Sequence, residues 1–282
     1  MRRGTGATPN AVFHGGLSKV FVKPILAAAD WRMTWAFVAA VVGLVSFMKA
    51  VSLRCSRRPV RNRLFFLLSP LPSVDSWRRV VLVTADDVRQ TFKRCVLGTG
   101  AFLICHWIYW RLVTTLNLSG WSLSYLGAPL VWLMGEAGGP IARAFYLPAG
   151  GRIPLPHDGV LASRSVADFW GNRWNVWFSD WFRQVIFRRR RARPATALMQ
   201  VFLVSGLFHE IVLNLNLWLL TGHAPFGSMM LYFGLQALGI LAERKWLPKY
   251  PTASVSFTWL VVLGPAPLIV NEALLRILQL WR

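Results

Sequence analysis

The sequence predicts an all-α polytopic membrane protein, a single membrane domain over residues 1–282 with about six transmembrane helices and an amphipathic interfacial helix. Hydrophobic residues make up 55% of the chain, and only 15% of residues are charged, against roughly 25% in soluble domains. The apolar residues also form several uninterrupted runs of about 20, which one soluble core of this size could not cover. These observations together indicate the membrane class.

Four apolar runs are long enough to cross the hydrocarbon core of a bilayer as helices, at about 1.5 Å of rise per residue. They are Thr34–Leu53, Val96–Leu116, Ala197–Leu220 and Ser254–Leu275. Two shorter runs, Trp121–Gly135 and Phe226–Leu241, are predicted as further spans, with tilted pairs or re-entrant segments as the alternatives. An additional half-span near Ala11–Ala29 would reconcile the basic N-terminal residues with the predicted topology.

The formal net charge of +21 is concentrated between the apolar runs. The segments Arg54–Arg94, Gly139–Thr196 and Ala242–Thr252 contain ten, ten and three basic residues, whereas the links Asn117–Gly120 and Thr221–Pro225 contain none. The positive-inside rule therefore places the three basic segments in the cytoplasm. We expect their partners to be membrane lipids with anionic headgroups, in a bacterial inner membrane or endoplasmic reticulum, and no nucleic acid.

Residues Asp168–Phe187 are predicted to form the amphipathic helix. Tryptophans recur there with a 4-3-4 spacing that places them on one helical face, which is expected to lie at the membrane interface. These are Trp170, Trp174, Trp177 and Trp181, and the opposite face collects Asn172, Asn175, Ser179 and Arg183. Periodicity alone favours an interfacial anchor without any chemistry.

The run Ala197–Leu220 contains His209 and Glu210 near its middle, where a charged group costs at least a few kcal/mol. Ser205 and Asn216 share a face with His209, so the helix is predicted to carry a polar stripe through the membrane interior. Residues at such positions usually have a function. The alternative is a histidine that forms a structural hydrogen bond between helices.

Other histidine, serine and cysteine motifs are excluded by spacing. His209 and Glu210 do not begin an HExxH motif because position 213 is Leu213, and Ser205 is not in a GxSxG motif because position 203 is Leu203. The three cysteines form no CxxC pair, so no metal site is expected. The remaining loop histidines, His14, His157 and His223, are expected to be solvated.

The motif FWGNRWN at 169–175, followed by FLVSGLFHE at 202–210, resembles the paired signatures of the wax-synthase-like branch of the membrane-bound O-acyltransferases. The order of these features distinguishes the family better than either motif alone. A Trp-rich segment with an asparagine comes first, a basic run follows, and a span with SGxxHE comes last. The resemblance covers about residues 165–245, which we interpret as the catalytic segment. It implies that His209 is the catalytic base and that Asn175 is the second catalytic residue.

The same resemblance assigns supporting positions to Glu210, Ser205 and Asn172, although many relatives have an arginine where this chain has Asn172. It further implies that His209 accepts the proton of an alcohol as the alcohol attacks the thioester of an acyl-CoA. The expected substrates are acyl-CoA and a lipophilic acceptor with a hydroxyl group, and no permanently bound cofactor is expected. Arginines of the basic loops could contact the CoA phosphates.

Two other functions are compatible with parts of the sequence. The stripe of Ser205, His209 and Asn216 could line a proton or solute path in a transporter. Alternatively, the tryptophans and arginines could serve a non-catalytic scaffold on an anionic membrane. Neither alternative requires the two motifs to occur in this order.

Overall fold

The computed structural model describes residues 31–56, 59–60, 62–189, 193–247 and 251–281. The predicted half-span Ala11–Ala29 and His14 lie outside these residues. The α-helices of the described part, in chain order, are α1 (Trp31–Cys55), α2 (Arg63–Leu68), α3 (Val74–Trp77), α4 (Ala85–Leu116), α5 (Trp121–Ala144), α6 (Val166–Asp168), α7 (Val176–Val185), α8 (Pro194–His209), α9 (Leu215–Thr221), α10 (Ser228–Trp246), α11 (Pro251–Leu263), α12 (Ala266–Ile269) and α13 (Glu272–Ile277). Two-residue strands, β1 (Val81–Leu82) and β2 (Gly151–Arg152), pair antiparallel and are the small exception to an all-α fold.

Four helical units of the described chain are long and apolar enough to cross a membrane. They are Trp31–Cys55, Ala85–Leu116, Pro194–Thr221 and Thr252–Ile269, which correspond to the four longer runs predicted from the sequence. The two shorter runs are also helical, since α5 has 24 residues and α10 has 19. An all-α membrane fold is therefore supported, and the count of six spans stays a prediction.

The last predicted span is interrupted. Helix α11 ends at Leu263, and the chain turns at Gly264 and Pro265 before α12 begins. Pro265 has no backbone N–H to donate to the preceding helical turn, and its ring crowds that turn, so the helix is weakened where α11 ends. A second break follows at Asn271, whose side chain accepts a hydrogen bond from the Ala273 amide and begins α13. The apolar run predicted near Ser254–Leu275 is therefore confirmed as a candidate span over Thr252–Ile269, and its last residues form the separate helix α13.

The Trp-rich segment is not a single helix. After α6, residues Phe169–Arg173 form a π-helix, and α7 begins only at Val176. Between them Asn175 has φ 44° and ψ 56°, a left-handed conformation that interrupts a right-handed helix. The prediction of one amphipathic helix over Asp168–Phe187 is therefore wrong, and its tryptophans do not share one face.

These tryptophans face other parts of the protein instead. Three of them donate the indole N–H to an acceptor on another element, as buried indoles usually do. The donor and acceptor residues are Trp170 with Gln236 at 3.1 Å, Trp177 with Pro154 at 3.1 Å, and Trp181 with Met48 at 2.8 Å. The fourth, Trp174, stacks on Phe169 and on His157. The segment is thus fixed within the helical bundle by its aromatic side chains.

Buried polar side chains fix α7 against α1 and α3. The Ser52 hydroxyl donates to the Gln184 side-chain oxygen at 2.6 Å, and the Gln184 amide donates back to the Ser52 carbonyl at 3.0 Å. The Ser76 hydroxyl donates to Asp180 at 2.7 Å. Because each of these groups is paired, burying them does not carry the cost of an unmade hydrogen bond.

Ion pairs connect the same two regions at their exposed edge. Arg188 contacts Asp75 at 2.7 Å, and Arg79 pairs with Asp180. Residues 75–79 belong to the first basic segment, whereas Asp180 and Arg188 belong to the second. The two basic segments must therefore lie on the same side of any membrane that the helices cross.

We expect single cysteines at Arg78 and Arg189 to react with an impermeant maleimide from the same side of the membrane, in a chain with its native cysteines replaced by serine. A cysteine at Ser119, between α4 and α5, should react from the opposite side because one span separates it from the basic segments. Labelling of intact and permeabilised vesicles measures this. Opposite labelling of positions 78 and 189 would contradict both the ion pairs and the topology.

Candidate active site

A cavity of about 1000 Å³ lies inside the helical bundle. Side chains from α1, α5, α7, α8, α10 and α11 contribute to its wall, which is mainly apolar and aromatic. The volume is at the upper end of the roughly 300–1,000 Å³ found for small-molecule sites. A few polar residues interrupt the apolar wall, namely His157, Asn172, Asn175, Ser179, Arg183, Ser205, His209 and Arg244. The cavity therefore fits long apolar ligands that carry a small number of polar groups.

His209 is the last residue of α8, and its ring orientation is fixed on two sides. Its Nδ1 lies 2.7 Å from the backbone carbonyl oxygen of Ser205, and its ring centroid lies 4.5 Å from that of Phe233. A carbonyl oxygen can only accept a hydrogen bond, so in the neutral ring Nδ1 carries the hydrogen. The other nitrogen, Nε2, then has a free lone pair. His209 is thus arranged as a hydrogen-bond acceptor or a base within the cavity.

A second π-helix, Glu210–Asn214, follows His209 directly. A π-turn contains one residue more than an α-turn, so it rotates the rest of the helix by about 100° relative to the predicted register. This explains why Ser205 and His209 line the cavity whereas Asn216 does not. The Asn216 amide donates instead to the Val212 carbonyl at 2.7 Å. The continuous polar stripe on which a transport path would depend is therefore not formed.

Glu210 faces away from the cavity and caps α10. Its Oε1 accepts hydrogen bonds from the backbone amides of Met229 at 2.9 Å and Met230 at 3.3 Å. These amides lie in the first turn of α10, where no carbonyl of the helix can reach them. A carboxylate at this end also interacts favourably with the helix dipole. Glu210 thus connects the start of α10 to the π-helix that directly follows His209.

A buried cluster of amides surrounds the other oxygen of Glu210. Asn214 donates to Glu210 Oε2 at 2.8 Å, and Asn271 donates to the Asn214 side-chain oxygen at 3.1 Å. Both asparagines also lie within hydrogen-bonding distance of the Ser228 hydroxyl, at 3.3 Å and 3.2 Å. The cluster joins the π-helix, the start of α10 and the start of α13. Sequence analysis missed Asn214 and Asn271, which appear as isolated asparagines in apolar runs.

Asn175 lines the same cavity as His209. Its backbone begins α7, but its side chain makes no capping hydrogen bond with that helix. The amide has no hydrogen-bond partner elsewhere in the described part of the chain. Asparagine tolerates the left-handed conformation better than most residues, which explains why it is suited to this position. The strained backbone thus presents an unpaired amide to the cavity.

Ser205 and Asn172 also line the cavity, but their roles differ. Ser205 contacts His209 through its backbone carbonyl and not through its hydroxyl. Asn172 is exposed and makes local contacts, since its amide donates to Asp168 at 3.2 Å and its oxygen accepts from Arg183 at 3.2 Å. Arg183 also donates to the Gly171 carbonyl. Asn172 is therefore part of the network that holds the first π-helix.

Asp168 is the anionic centre of that network. Its carboxylate accepts from the Arg173 guanidinium at 2.6 Å and from the Arg164 backbone amide at 3.2 Å. Partial burial raises the pKa of this carboxyl, but the hydrogen bonds from Arg173 and Asn172 outweigh burial and hold its pKa below the usual range. Asp168 thus remains ionised at neutral pH and fixes the geometry next to Asn175.

His157 is the functional candidate that the sequence analysis assigned wrongly. It was expected to be solvated in a loop, yet it is only 9% exposed and lines the cavity. Its ring stacks on Trp174 at 4.5 Å, and its Nδ1 lies 3.3 Å from Glu136 Oε1. Gly135 and Gly139 of α5 are the sequence signal for this arrangement, because the loop that contains His157 packs against them.

Comparisons with known proteins agree with the motifs. Residues 154–233 match the family model described as the membrane bound O-acyl transferase family. This range contains His157, Asn175 and His209, and it overlaps the segment 165–245 whose motifs resemble those of the acyltransferases. The resemblance to these acyltransferases is therefore confirmed for this part of the chain.

Similar curated proteins include plant proteins that are named as probable acyltransferases. One is the probable long-chain-alcohol O-fatty-acyltransferase 7 of Arabidopsis thaliana, 31% identical over 124 residues that cover 37% of this chain and 35% of the relative. Another is the probable long-chain-alcohol O-fatty-acyltransferase 9 of the same plant, 34% identical over 110 residues that cover 36% of this chain and 31% of the relative. The chain thus matches about a third of the length of these relatives.

Substituting Glu210→Ala should lower the stability of the folded protein by about 2–3 kcal/mol, because two buried backbone amides and Asn214 lose a charged acceptor. Thermal unfolding in detergent measures the change. The matched control is Glu272→Ala, which removes a carboxylate at the start of α13 that is paired with exposed His223 and with Arg276. Stability equal to that of the control would contradict the capping role.

Proposed function

We propose that this protein is an acyltransferase that moves an acyl group from acyl-CoA to the hydroxyl of a lipophilic alcohol and forms an ester within the membrane. The observation that carries the proposal is the His209 Nε2, which has a free lone pair in an apolar cavity that also contains the unpaired amide of Asn175. The similarity of this segment to long-chain-alcohol O-fatty-acyltransferases supports the same reaction class.

His209 is the general base of the proposed reaction. Its Nε2 accepts the hydroxyl proton as the alcohol oxygen attacks the thioester carbonyl, and a new C–O bond forms. The tetrahedral intermediate then collapses with cleavage of the C–S bond. The departing thiolate takes the proton from the imidazolium, so the products are an ester and free CoA. Both proton transfers use the same nitrogen, and no covalent enzyme intermediate is required.

Asn175 is proposed to stabilise the negative charge that develops on the carbonyl oxygen. Its side-chain amide can donate two hydrogen bonds and is not engaged with another described residue. A fixed donor in a cavity of low polarity contributes a few kcal/mol to the transition state, because it need not reorganise during the reaction. The left-handed backbone and the Asp168 network fix the position of this donor.

The apolar wall accounts for the proposed substrate class. Two long alkyl chains, one on each substrate, would bury against aromatic and aliphatic side chains without leaving polar groups unpaired. An apolar site also excludes water, which would otherwise hydrolyse the thioester. Arg183 and Arg244 line the cavity and belong to the basic segments, so they are candidates for contact with the CoA phosphates.

Substituting His209→Ala should reduce ester formation by roughly 10²–10⁴-fold, the usual effect of removing a positioned general base. Asn175→Ala should reduce kcat less completely, because an oxyanion donor provides part of the stabilisation. Ester formation in membranes from cells expressing each variant is the measurement. His223→Ala is the matched control, because His223 does not line the cavity. Undiminished esterification by well-folded His209→Ala would refute the assignment.

Free CoA should inhibit the reaction competitively with the acyl donor, because product and donor share the nucleotide and pantetheine groups. Initial rates at several concentrations of acyl-CoA measure the inhibition. A matched assay with free fatty acid and ATP should give no ester unless a CoA ligase is present. Absence of inhibition by millimolar CoA would indicate a donor of a different class.

A further inference from the structure

His157 has the features of a built binding residue. Its ring is held between Trp174 on one side and α5 on the other, and only a small part of it is exposed to the cavity. Trp174 in turn stacks on Phe169 at 5.5 Å, so the imidazole is the end of an aromatic stack. An exposed loop histidine would keep several rotamers, whereas this ring is confined to one orientation.

Two glycines of α5 create the space for this loop. A Cβ on Gly135 would lie 2.1 Å from Cε1 of His157, and a Cβ on Gly139 would lie 2.4 Å from Cδ of Pro156. Real Cβ atoms cannot approach so closely, so any side chain at position 135 would displace the imidazole. The GxxxG sequence of α5 thus receives a loop and not a second helix.

Backbone hydrogen bonds hold the loop that contains His157 beside the segment that contains Trp174 and Asn175. The Asp158 amide donates to the Arg173 carbonyl at 2.9 Å, and the Val176 amide donates to the Pro156 carbonyl at 2.8 Å. These bonds join the residues on either side of His157 to the residues on either side of Trp174 and Asn175. His157 and Asn175 are therefore neighbours on one wall of the cavity.

The two nitrogens of the His157 ring have different environments. Nδ1 is fully buried and lies 3.3 Å from Glu136 Oε1, although the contact does not have the geometry of a well-formed hydrogen bond. The same carboxylate oxygen accepts the indole N–H of Trp132 at 3.1 Å. A hydrogen on Nδ1 faces this carboxylate favourably, whereas a lone pair there would be repelled. In the neutral ring Nε2 then carries the lone pair, and it has no partner in the described part of the chain.

We propose that His157 is a second substrate-binding imidazole, whose Nε2 accepts a hydrogen bond from an N–H or O–H donor of a substrate in the cavity. The inference rests on the proposed function. Two donors have this chemistry there, namely the amide N–H groups of the pantetheine arm of acyl-CoA and the hydroxyl of the alcohol. The hydroxyl has a single hydrogen, which His209 requires. The pantetheine amide is therefore the expected donor.

The test is the dependence of initial rate on each substrate for the purified full-length chain in detergent. His157→Phe keeps a ring that can stack on Trp174 but removes the acceptor nitrogen. We expect its KM for acyl-CoA to rise about tenfold, the effect of one lost hydrogen bond, with kcat changed less than threefold. The control is His223→Phe, because His223 also pairs with a carboxylate at 3.3 Å but lies outside the cavity.

A second pair of variants tests the same position without changing the histidine. Gly135→Ala should reproduce the rise in KM, because its Cβ displaces the imidazole. Gly138→Ala is the matched control on the same helix, since a Cβ there would meet nothing within 4 Å. If His157→Phe does not fold, this pair decides the question.

The outcomes separate the possible donors. A rise in KM for acyl-CoA alone supports the pantetheine amide, and a rise in KM for the alcohol alone supports the hydroxyl. If both KM values stay at the wild-type level in folded His157→Phe or Gly135→Ala, the proposal is overturned.

If the wild-type protein forms no ester from acyl-CoA with any alcohol, the proposed function fails while the inference about His157 can still be tested. Calorimetric binding of an S-alkyl thioether of CoA, which retains both amides but cannot react, then tests His157 directly. Equal Kd values for the wild-type protein and His157→Phe would overturn the inference on that route too, as would a wild-type protein that does not bind this thioether.

Discussion

The structure depends on one constraint, which is that a polar group buried among apolar side chains must find a partner. Glu210 meets this requirement by capping α10, and Asn214 and Asn271 complete the contact. This cluster fixes the π-helix, and the π-helix sets the angle at which His209 and the residues after it face their neighbours. The acidic residue next to the proposed base therefore supports the site through the backbone and not through the imidazole.

The same constraint explains the Trp-rich segment. Its indoles donate to acceptors on α1, α10 and the loop after β2, so the segment is held inside the bundle. The chain can follow this path only if the helix breaks, and the left-handed Asn175 provides the break. The residue that permits the path is also the one whose amide remains available in the cavity. Packing and the proposed chemistry thus place the same requirement on one position.

The polar residues of the cavity wall are of two kinds, those whose side chains are hydrogen-bonded within the protein and those whose side chains are not. Tyr125 and Tyr232 also line it, but their hydroxyls donate to the carbonyls of Gly264 and Val262. These groups hold the helices around the space. By contrast, Nε2 of His209, the amide of Asn175 and Nε2 of His157 have no partner in the described part of the chain. Leaving such groups unpaired is costly, so a ligand that satisfies them gains specificity.

The sequence by itself determined the class of apolar helical protein, the four long apolar helical stretches and the motif pair in which His209 and Asn175 lie, because hydropathy and short motifs are local properties of the chain. Only the tertiary structure decided the rest. The π-helix after His209 separates Asn216 from the predicted stripe, and the break at Asn175 divides the predicted amphipathic helix. His157 reaches the cavity because glycines 22 and 18 residues earlier in the chain leave room for it. The packing of His157 on α5 and the contact of Glu210 with α10 join residues that are distant in the chain. The periodicity of the sequence contains no information about such contacts.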